Sequence, residues 1–320
     1  MTVDRIEWVL EQYRTRYPDF PVKRFHEQLV AEHGLELGYT WTKRVLQEAG
    51  LVRRAPKRSA HRKERPRRPL PGMLLFQDGS RHAWLEGQPA LDPIVTMDDA
   101  TSGIGPAFLV EEEGTRSSFR GLAEVIGRHG LFSSLYTDRG SPYFVTAEAG
   151  GTVTKERPTQ VGRALSRLGI EHIPSYSPEA RGRMERWFGT LQGRLPQELR
   201  LARITTMAEA NRFLAARFVP DHNRRFAVAA AEGGSALVPF AGDLAEIPCV
   251  QVERVVGNDN SASATAGCAC RFQRGATATP SCGSRCGCTP TRTAGSPSST
   301  GRAAWPATPP TETSWASRKV

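Results

Sequence analysis

The sequence lacks any long run of apolar residues. No hydrophobic stretch approaches the roughly 20 residues that a helix needs to cross a bilayer. The opening segment, residues 1–8, is too acidic and contains too few apolar residues for a secretory signal. We therefore expect a soluble, cytoplasmic protein with no membrane partner.

Cysteine is almost absent from residues 1–260, where Cys249 is the only one. This part of the chain therefore has no pair of cysteines that could form a disulfide. The remaining cysteines crowd into the final segment, as Cys268, Cys270, Cys282, Cys286 and Cys288. Their spacing is not typical of a zinc module, so we do not favour the alternative of a soft-metal site there.

The final segment, residues 261–320, also lacks the residues that build a core. Only Phe272 and Val320 come from the group Ile, Leu, Val, Met and Phe, so the segment cannot bury a core and we expect it to be disordered. Because the composition changes abruptly after Asn260, our hypothesis is that this tail is translated out of frame from a GC-rich gene. The other two reading frames past that codon test the idea, which fails if neither encodes a strand-rich continuation.

Positive charge is unevenly distributed along the chain. The formal net charge is +10, yet residues 53–68 alone hold nine Lys and Arg against one Glu, and the final segment holds seven against one. The rest of the chain is mildly acidic. A short cationic arm between domains is typical of proteins that neutralise phosphates, although a solvated linker without a partner is the alternative. We predict DNA contacts from the arm residues Arg53, Arg54, Lys57, Arg58, Arg62, Lys63, Arg65, Arg67 and Arg68.

Before the arm, apolar residues recur at helical spacing in three short segments. The third segment, residues 41–49 with Thr40 as its N-cap, directs Lys43, Arg44 and Gln47 outward. Three short helices of this kind resemble a helix-turn-helix module whose third helix contacts DNA, although many small helical hairpins look alike. The residues predicted to face inward are Val3, Ile6, Val9, Leu10 and Tyr13 in the first helix, Val22, Phe25, Leu29 and Val30 in the second, and Trp41, Val45 and Leu46 in the third.

From residue 71 to 226 the pattern changes to three strands, a helix, a strand, a helix, a strand and further helices. This order predicts an α/β domain, a mixed sheet with helices on its faces. Asp78 ends the first strand and Asp138 ends the fourth. If these strands are neighbours, the two carboxylates meet at one end of the sheet.

A helix over residues 177–195 follows the last strand, with Ser177 as a plausible N-cap. Glu185 lies beside the apolar stripe of this helix, so it is either a metal ligand or an ion-paired surface glutamate. A helix packed across this edge of the sheet could bring Glu185 to Asp78 and Asp138. Three neighbouring carboxylates repel each other unless a cation lies between them, and hard oxygen ligands favour Mg²⁺ or Mn²⁺. Two such ions can drive in-line phosphoryl displacement. The apolar stripe consists of Met184, Phe188, Leu191 and Leu195.

Other polar residues near these carboxylates have simpler interpretations. Asp98 and Asp99 suit a turn after the second strand, and Glu179 suits the first turn of its helix. His82 either faces the site or packs beside Trp84, and we favour packing. Three arginines could contact phosphates or merely neutralise the acids; they are Arg139, Arg183 and Arg186.

Four segments together resemble the integrase catalytic core of bacterial insertion-sequence transposases, specifically the ISNCY-like group of the DDE superfamily. They are residues 77–87 (QDGSRHAWLEG), 98–103 (DDATSG), 136–143 (YTDRGSPY) and 182–188 (GRMERWF). The resemblance covers residues 1–260. It implies a ribonuclease H-like fold in which Asp78, Asp138 and Glu185 hold divalent metal. The gap of 46 residues between Asp138 and Glu185 is longer than is usual in the superfamily, and the loop at 146–159 would account for the excess.

The resemblance implies a DNA transposase that cuts transposon ends and joins them to target DNA, acting as a homo-oligomer on double-stranded DNA. A non-catalytic DNA-binding regulator and a structure-selective nuclease on the same fold are the alternatives. The predicted domains are a helix-turn-helix domain at 1–52, the basic arm at 53–70, the catalytic core at 71–226, the start of a small β domain at 227–260 and the tail at 261–320.

Overall fold

The computed structural model describes residues 3–54, 65–146, 152–154, 157–176, 178–244 and 247–250, with the backbone alone at 178–181. The chain divides into two units after Pro248. Every helix and strand in the described ranges belongs to the first unit. Several sequence predictions lie outside the described residues: the arm contacts of Lys57, Arg58, Arg62 and Lys63, the Ser177 cap, the side chain of Glu179, and the tail at 261–320.

Three helices form the N-terminal part, as the spacing of apolar residues predicts. They are α1 (Val3–Thr15), α2 (Val22–His33) and α3 (Tyr39–Glu48). Their small core contains Val9, Phe25, Leu29 and Leu46, each fully buried. Gly34 ends α2 in the left-handed conformation at φ 63°, which a glycine adopts without steric cost. The helix-turn-helix assignment stays a prediction.

Two details of these helices differ from the sequence expectation. Helix α3 begins at Tyr39 after Gly38 and has no side-chain cap, so Thr40 lies inside its first turn. Val3 and Val30 were expected to face inward, but 67% and 46% of their surfaces are exposed. The buried stripe of each helix is narrower than periodicity suggests, because two short neighbouring helices cover only part of each surface.

A mixed five-stranded sheet forms the centre of the unit. The strand order is β3-β2-β1-β4-β5, in which β1, β2 and β3 pair antiparallel while β4 lies parallel to both β1 and β5. The first and fourth strands are neighbours, which is the condition under which Asp78 and Asp138 meet. The strands are β1 (Leu75–Gly79), β2 (Asp92–Asp98), β3 (Ile104–Val110), β4 (Ser134–Thr137) and β5 (Glu171–Pro174).

Helices cover both faces of the sheet, which is why its strands are largely buried. On one face, α4 and α5 pack against Leu75 and Leu135. On the other, the helices after β5 pack against Phe76 and Val95. None of the helices in the described ranges is long and apolar enough to cross a membrane. The helices are α4 (Thr115–His129), α5 (Gln160–Arg167), α6 (Pro178–Gln192), α7 (Leu195–Leu201), α8 (Met207–Phe213) and, after a π-helical turn (Leu214–Phe218), α9 (Val219–Phe226).

The apolar stripe predicted around Glu185 is buried throughout, from Met184 to Leu195. However, α6 ends at Gln192, and Leu195 starts the next helix. Gly193 weakens the helix at this point, and Pro196, which has no backbone N–H, occupies the first turn of α7. The predicted single helix is therefore two.

Two asparagines protect β3, one of the two edge strands of the sheet. The side-chain amide of Asn211 donates to Leu109 O at 3.0 Å and accepts from Leu109 N at 2.6 Å. Asn223 makes the same pair of hydrogen bonds to Ile104, at 2.7 and 2.8 Å. These side chains occupy backbone groups that would otherwise be open to another strand.

We expect Asn211→Ala to lower the free energy of unfolding by about 1–3 kcal/mol, because the buried N–H and C=O of Leu109 lose their partner. Urea unfolding monitored by circular dichroism measures the change. Arg212→Ala, at an exposed position of the same helix, is the control. Equal losses in the two variants would contradict the role given to Asn211.

Beyond α9, the chain up to Pro248 stays in the same unit as the sheet. Val228 N donates to Thr101 O at 2.9 Å, and Val238 forms an isolated bridge with Leu131. Leu237, Phe240, Leu244 and Ile247 pack against the core under α4 and α5. The small β domain predicted for 227–260 stays a prediction, since residues 251–260 lie outside the described ranges.

Candidate active site

Asp78 and Asp138 lie at equivalent positions along two adjacent parallel strands: Asp78 is the penultimate residue of β1, and Asp138 directly follows β4. Phe76 of β1 is in register with Tyr136 of β4, and each aspartate lies two residues further along its own chain. Neighbouring strands lie about 4.8 Å apart, and residues two apart share a face. The structure therefore brings the two predicted carboxylates to one end of the sheet.

The surroundings hold these aspartates in place. Asp78 is buried, at 7% exposure, and Asp138 is partly buried. Asp138 Oδ1 accepts a hydrogen bond from Gly140 N at 2.9 Å. A Cβ atom at position 140 would lie 3.0 Å from the same oxygen, so glycine suits this close turn.

A third carboxylate, Glu113, lies nearby and was missed by the sequence reasoning. It lies between β3 and α4, and one oxygen lies so close above Gly79 that a Cβ there would meet it at 2.3 Å. Burial, together with the negative charges of Asp78 and Asp138, raises the pKa of Glu113 to about 7. The run of three glutamates at 111–113, directly after a predicted strand, was the available signal.

Tyr143 fixes the position of Glu113. Its hydroxyl donates to Glu113 Oε1 at 3.1 Å and accepts from Ser118 Oγ at 3.1 Å. Burial and the nearby Glu113 charge raise the pKa of Tyr143 well above its usual range. The phenol therefore remains a proton donor, and the chain of hydrogen bonds runs from α4 to the acidic end of the sheet.

Glu185 lies on α6 between buried neighbours, Met184 and Trp187, but is itself exposed. Among the residues that the structure describes, no group of three or more His, Cys, Asp and Glu side chains is placed to hold a metal ion. Neither Glu185 nor Glu113 therefore completes a metal-holding triad with the two aspartates in this conformation. The assignment of Glu185 as a third ligand stays a prediction.

The donor chemistry at this end of the sheet nevertheless fits a divalent cation. Asp78 and Asp138 present hard carboxylate oxygens, which suit Mg²⁺ and Mn²⁺. Their charges help to raise the pKa of Glu113, and a cation bound between them would relieve that repulsion. Burial lowers the pKa of nearby His172 to about 4, so this ring is neutral at pH 7 and does not offset the acids.

Several arginines predicted to contact DNA have partners inside the protein. Arg65 and Arg183 both form ion pairs with the buried Asp99, and Arg67 donates to Ser102 Oγ at 2.7 Å. Other residues predicted to contact DNA differ in exposure. Lys43 and Gln47 are half-buried, and the guanidinium of Arg139 lies over the Tyr176 ring. The exposed ones are Arg44, which pairs with Glu48, and Arg53, Arg54, Arg68 and Arg186. Their DNA contacts stay predictions.

The competing polar residues lie where structural roles require them. Asp98 accepts hydrogen bonds from Gly72 N and from both the backbone and the hydroxyl of Thr101, which builds the turn after β2. His82 meets the Trp84 ring edge-on, with centroids 4.9 Å apart. This contact agrees with the packing interpretation of His82.

Comparison with known proteins points to transposases. The chain is 33% identical over 258 residues to the Sinorhizobium fredii protein named "Putative transposase y4bF", which covers 78% of this chain and 55% of that protein. It is also 33% identical over 162 residues to the transposase for insertion sequence IS1202 of Streptococcus pneumoniae, covering 51% and 34% of the two chains. The chain thus spans about half the length of the first relative and a third of the second. No family model matches it.

Solved structures give weaker similarities. A chain of the simian T-cell lymphotropic virus intasome complex with PP2A regulatory subunit B56 gamma aligns with a TM-score of 0.39 and 19% identity, over 62% of this chain and 68% of that one. The HTLV-2 integrase catalytic core, solved with magnesium, aligns at 0.35 and 15%, over 45% and 82%. At TM-scores this low, these alignments support no conclusion about the fold or function of this chain.

Proposed function

We propose that this chain, a homologue of bacterial insertion-sequence transposases, cleaves the ends of a DNA element and joins them to target DNA. The observation that supports this most is the parallel register of β1 and β4, which brings Asp78, near the end of β1, beside Asp138, directly after β4. The identity of 33% to two transposases agrees with it. The reaction class is phosphoryl transfer that depends on a divalent metal.

Asp78 and Asp138 would hold the metal, with Glu185 as the third ligand once DNA is bound. A bound Mg²⁺ or Mn²⁺ would act as a Lewis acid, lowering the pKa of water and stabilising negative charge on phosphate oxygens, and we propose two such ions. The chain's own contribution is positioning. The N–H of Gly140 orients one oxygen of Asp138, and Tyr143 holds the Glu113 carboxyl at the edge of the site.

DNA is the proposed partner, bound along the basic residues of α3 and the arm, of which Arg44, Arg53, Arg54, Arg67 and Arg68 are exposed. Phosphate contacts of this kind position a duplex without reading its sequence. Because two element ends must be joined in one event, we propose a homo-oligomer on DNA. The site of action would be the bacterial cytoplasm, at the nucleoid.

Glu185→Gln tests the assignment of the third ligand. With labelled element-end oligonucleotides, target duplex and Mg²⁺ or Mn²⁺, we expect the wild type to form joined products and the variant to lose them by roughly 100-fold or more, since a neutral amide is a poor ligand for a hard cation. Glu171→Gln, also at an exposed glutamate but on β5, is the matched control and should retain activity. Gel electrophoresis of the strands gives the measurement.

The same assay separates the rival functions. Binding of the duplex without any cleavage favours a DNA-binding regulator, and cleavage without joining favours a nuclease. Unchanged joining by Glu185→Gln would remove Glu185 from the ligand set.

A further inference from the structure

The buried carboxylate of Asp99 accepts hydrogen bonds from residues in distant parts of the chain. It lies in the turn after β2, and its side chain is fully buried. Oδ1 accepts from the guanidinium groups of Arg65 and Arg183, and Oδ2 accepts from the backbone N–H of Arg68 at 2.8 Å. A buried anion with two charge-assisted partners is a strong local constraint, because losing either cation leaves its charge uncompensated.

These partners connect the basic arm to the helix that carries Glu185. Arg65 and Arg68 belong to the end of the arm, whereas Arg183 lies on α6 two residues before Glu185. Arg183 also donates to the carbonyl of Arg65, which joins arm and helix directly. The arm and the first turns of α6 therefore share one anchor.

The same cluster reaches the strand that carries Asp78. The Arg65 guanidinium lies 5.7 Å from the centre of the Phe76 ring, two residues before Asp78 on β1. Asp99 N also donates to Leu74 O at 3.0 Å, just before this strand. The contacts of Asp99 and its partners therefore reach both β1, which carries Asp78, and α6, which carries Glu185.

The charges in the cluster explain why a carboxylate is needed there. Burial lowers the pKa of Arg183, the charges of Arg67 and Arg65 lower it further, and Asp99 opposes this shift. Without the carboxylate, cations from the arm and from α6 would face each other across a buried gap. Repulsion would then separate the arm from the helix.

We propose that Asp99 is a positioning residue for strand transfer: it sets where the basic arm leaves the core and holds the first half of α6 so that Glu185 faces the DNA-bound site. The inference rests on the proposed function. It assigns Asp99 no contact with substrate or metal, since its oxygens are already taken by Arg65, Arg183 and Arg68.

Asp99→Asn in the full chain is the test. Removing the anion frees two guanidinium groups, so binding of a nonspecific duplex should tighten, by up to about eightfold near 0.1 M salt, with a steeper salt dependence equal to about one extra phosphate contact. Strand transfer should fall by about 100-fold, because small misplacements of catalytic groups cost that much. Tighter binding with weaker joining is a pair of effects that partial unfolding does not produce.

Asp98→Asn is the matched control. Asp98 is also buried, in the same turn, but its hydrogen bonds go to Gly72 and Thr101 rather than to arginines. This variant should lower stability while leaving DNA affinity and its salt dependence unchanged. If Asp99→Asn behaves like Asp98→Asn, or if its binding and joining decline together, the proposal is wrong.

Hydrogen exchange of α6 supplies a measurement that needs neither metal nor activity. Amides in residues 182–192 should exchange faster in Asp99→Asn and in Arg183→Gln, and at the wild-type rate in Asp98→Asn. Arg183→Gln keeps the ion pair between Asp99 and Arg65, so this variant replaces Asp99→Asn in the test if Asp99→Asn does not fold. Unchanged exchange in Arg183→Gln would overturn the anchor. If the wild type joins no DNA yet these exchange rates change as expected, the proposed function fails and the anchor stands.

Discussion

Asp78→Asn is expected to lower strand cleavage by roughly 10³-fold while making the metal-free protein more stable. The lost carboxylate removes a hard ligand, and a metal-held site supplies several kcal/mol of transition-state stabilisation. At the same time the negative charge that helps to raise the pKa of Glu113 disappears. The free energy of unfolding without metal should rise by something on the order of 1 kcal/mol, because like charges no longer repel each other.

Two measurements check this result: product formation with labelled element-end DNA, and urea unfolding in the presence of EDTA. Asp98→Asn is again a suitable control, since Asp98 is buried at the opposite end of the sheet, beside Leu75 of β1. It should lose stability and keep its activity per folded molecule. Loss of both activity and stability in Asp78→Asn would indicate a structural aspartate and contradict the proposed role.

Glu113→Gln is expected to change how the free energy of unfolding depends on pH. It should remove most of the pH dependence that comes from the end of the sheet with Asp78 and Asp138. The folded-state pKa of Glu113 is raised from 4.5 to about 7, so between these values the folded protein binds more protons than the unfolded chain. Stability therefore falls as the pH rises through this window, at up to 1.36 kcal/mol per unit. The variant should match the wild type near pH 4 and exceed it by about 3 kcal/mol at pH 8, or less where solvent screens the charge.

Thermal or urea unfolding from pH 4 to pH 8 with EDTA measures this difference. A glutamine can still accept the hydrogen bond that Tyr143 donates to Oε1, so the change isolates the charge. Glu112→Gln, at the exposed neighbouring glutamate, should leave the pH profile as it is. A constant difference between Glu113→Gln and wild type at all pH values would show that Glu113 titrates normally.

The local pattern of the sequence was enough to find the elements and the two aspartates. Alternation and helical spacing depend on neighbours along the chain, so the order of strands and helices could be predicted. The approach of Asp78 and Asp138 also required β1 and β4 to be neighbours, which the pattern left as a condition. Helix ends were less predictable. Whether Leu195 continues α6 or starts α7 depends on how Gly193 and Pro196 balance against packing, which periodicity does not show.

The sequence by itself determined which residues carry charge, which segments bury a face, and that an aspartate lies next to the end of each of two strands. Only the tertiary structure placed Glu113 at the acidic end of the sheet, left Glu185 exposed on α6, and gave Asp99 its arginine partners. The physical reason is the range of the interactions. Periodicity follows from the backbone geometry of adjacent residues, whereas a pKa shift or a buried ion pair depends on side chains that folding brings together from far along the chain.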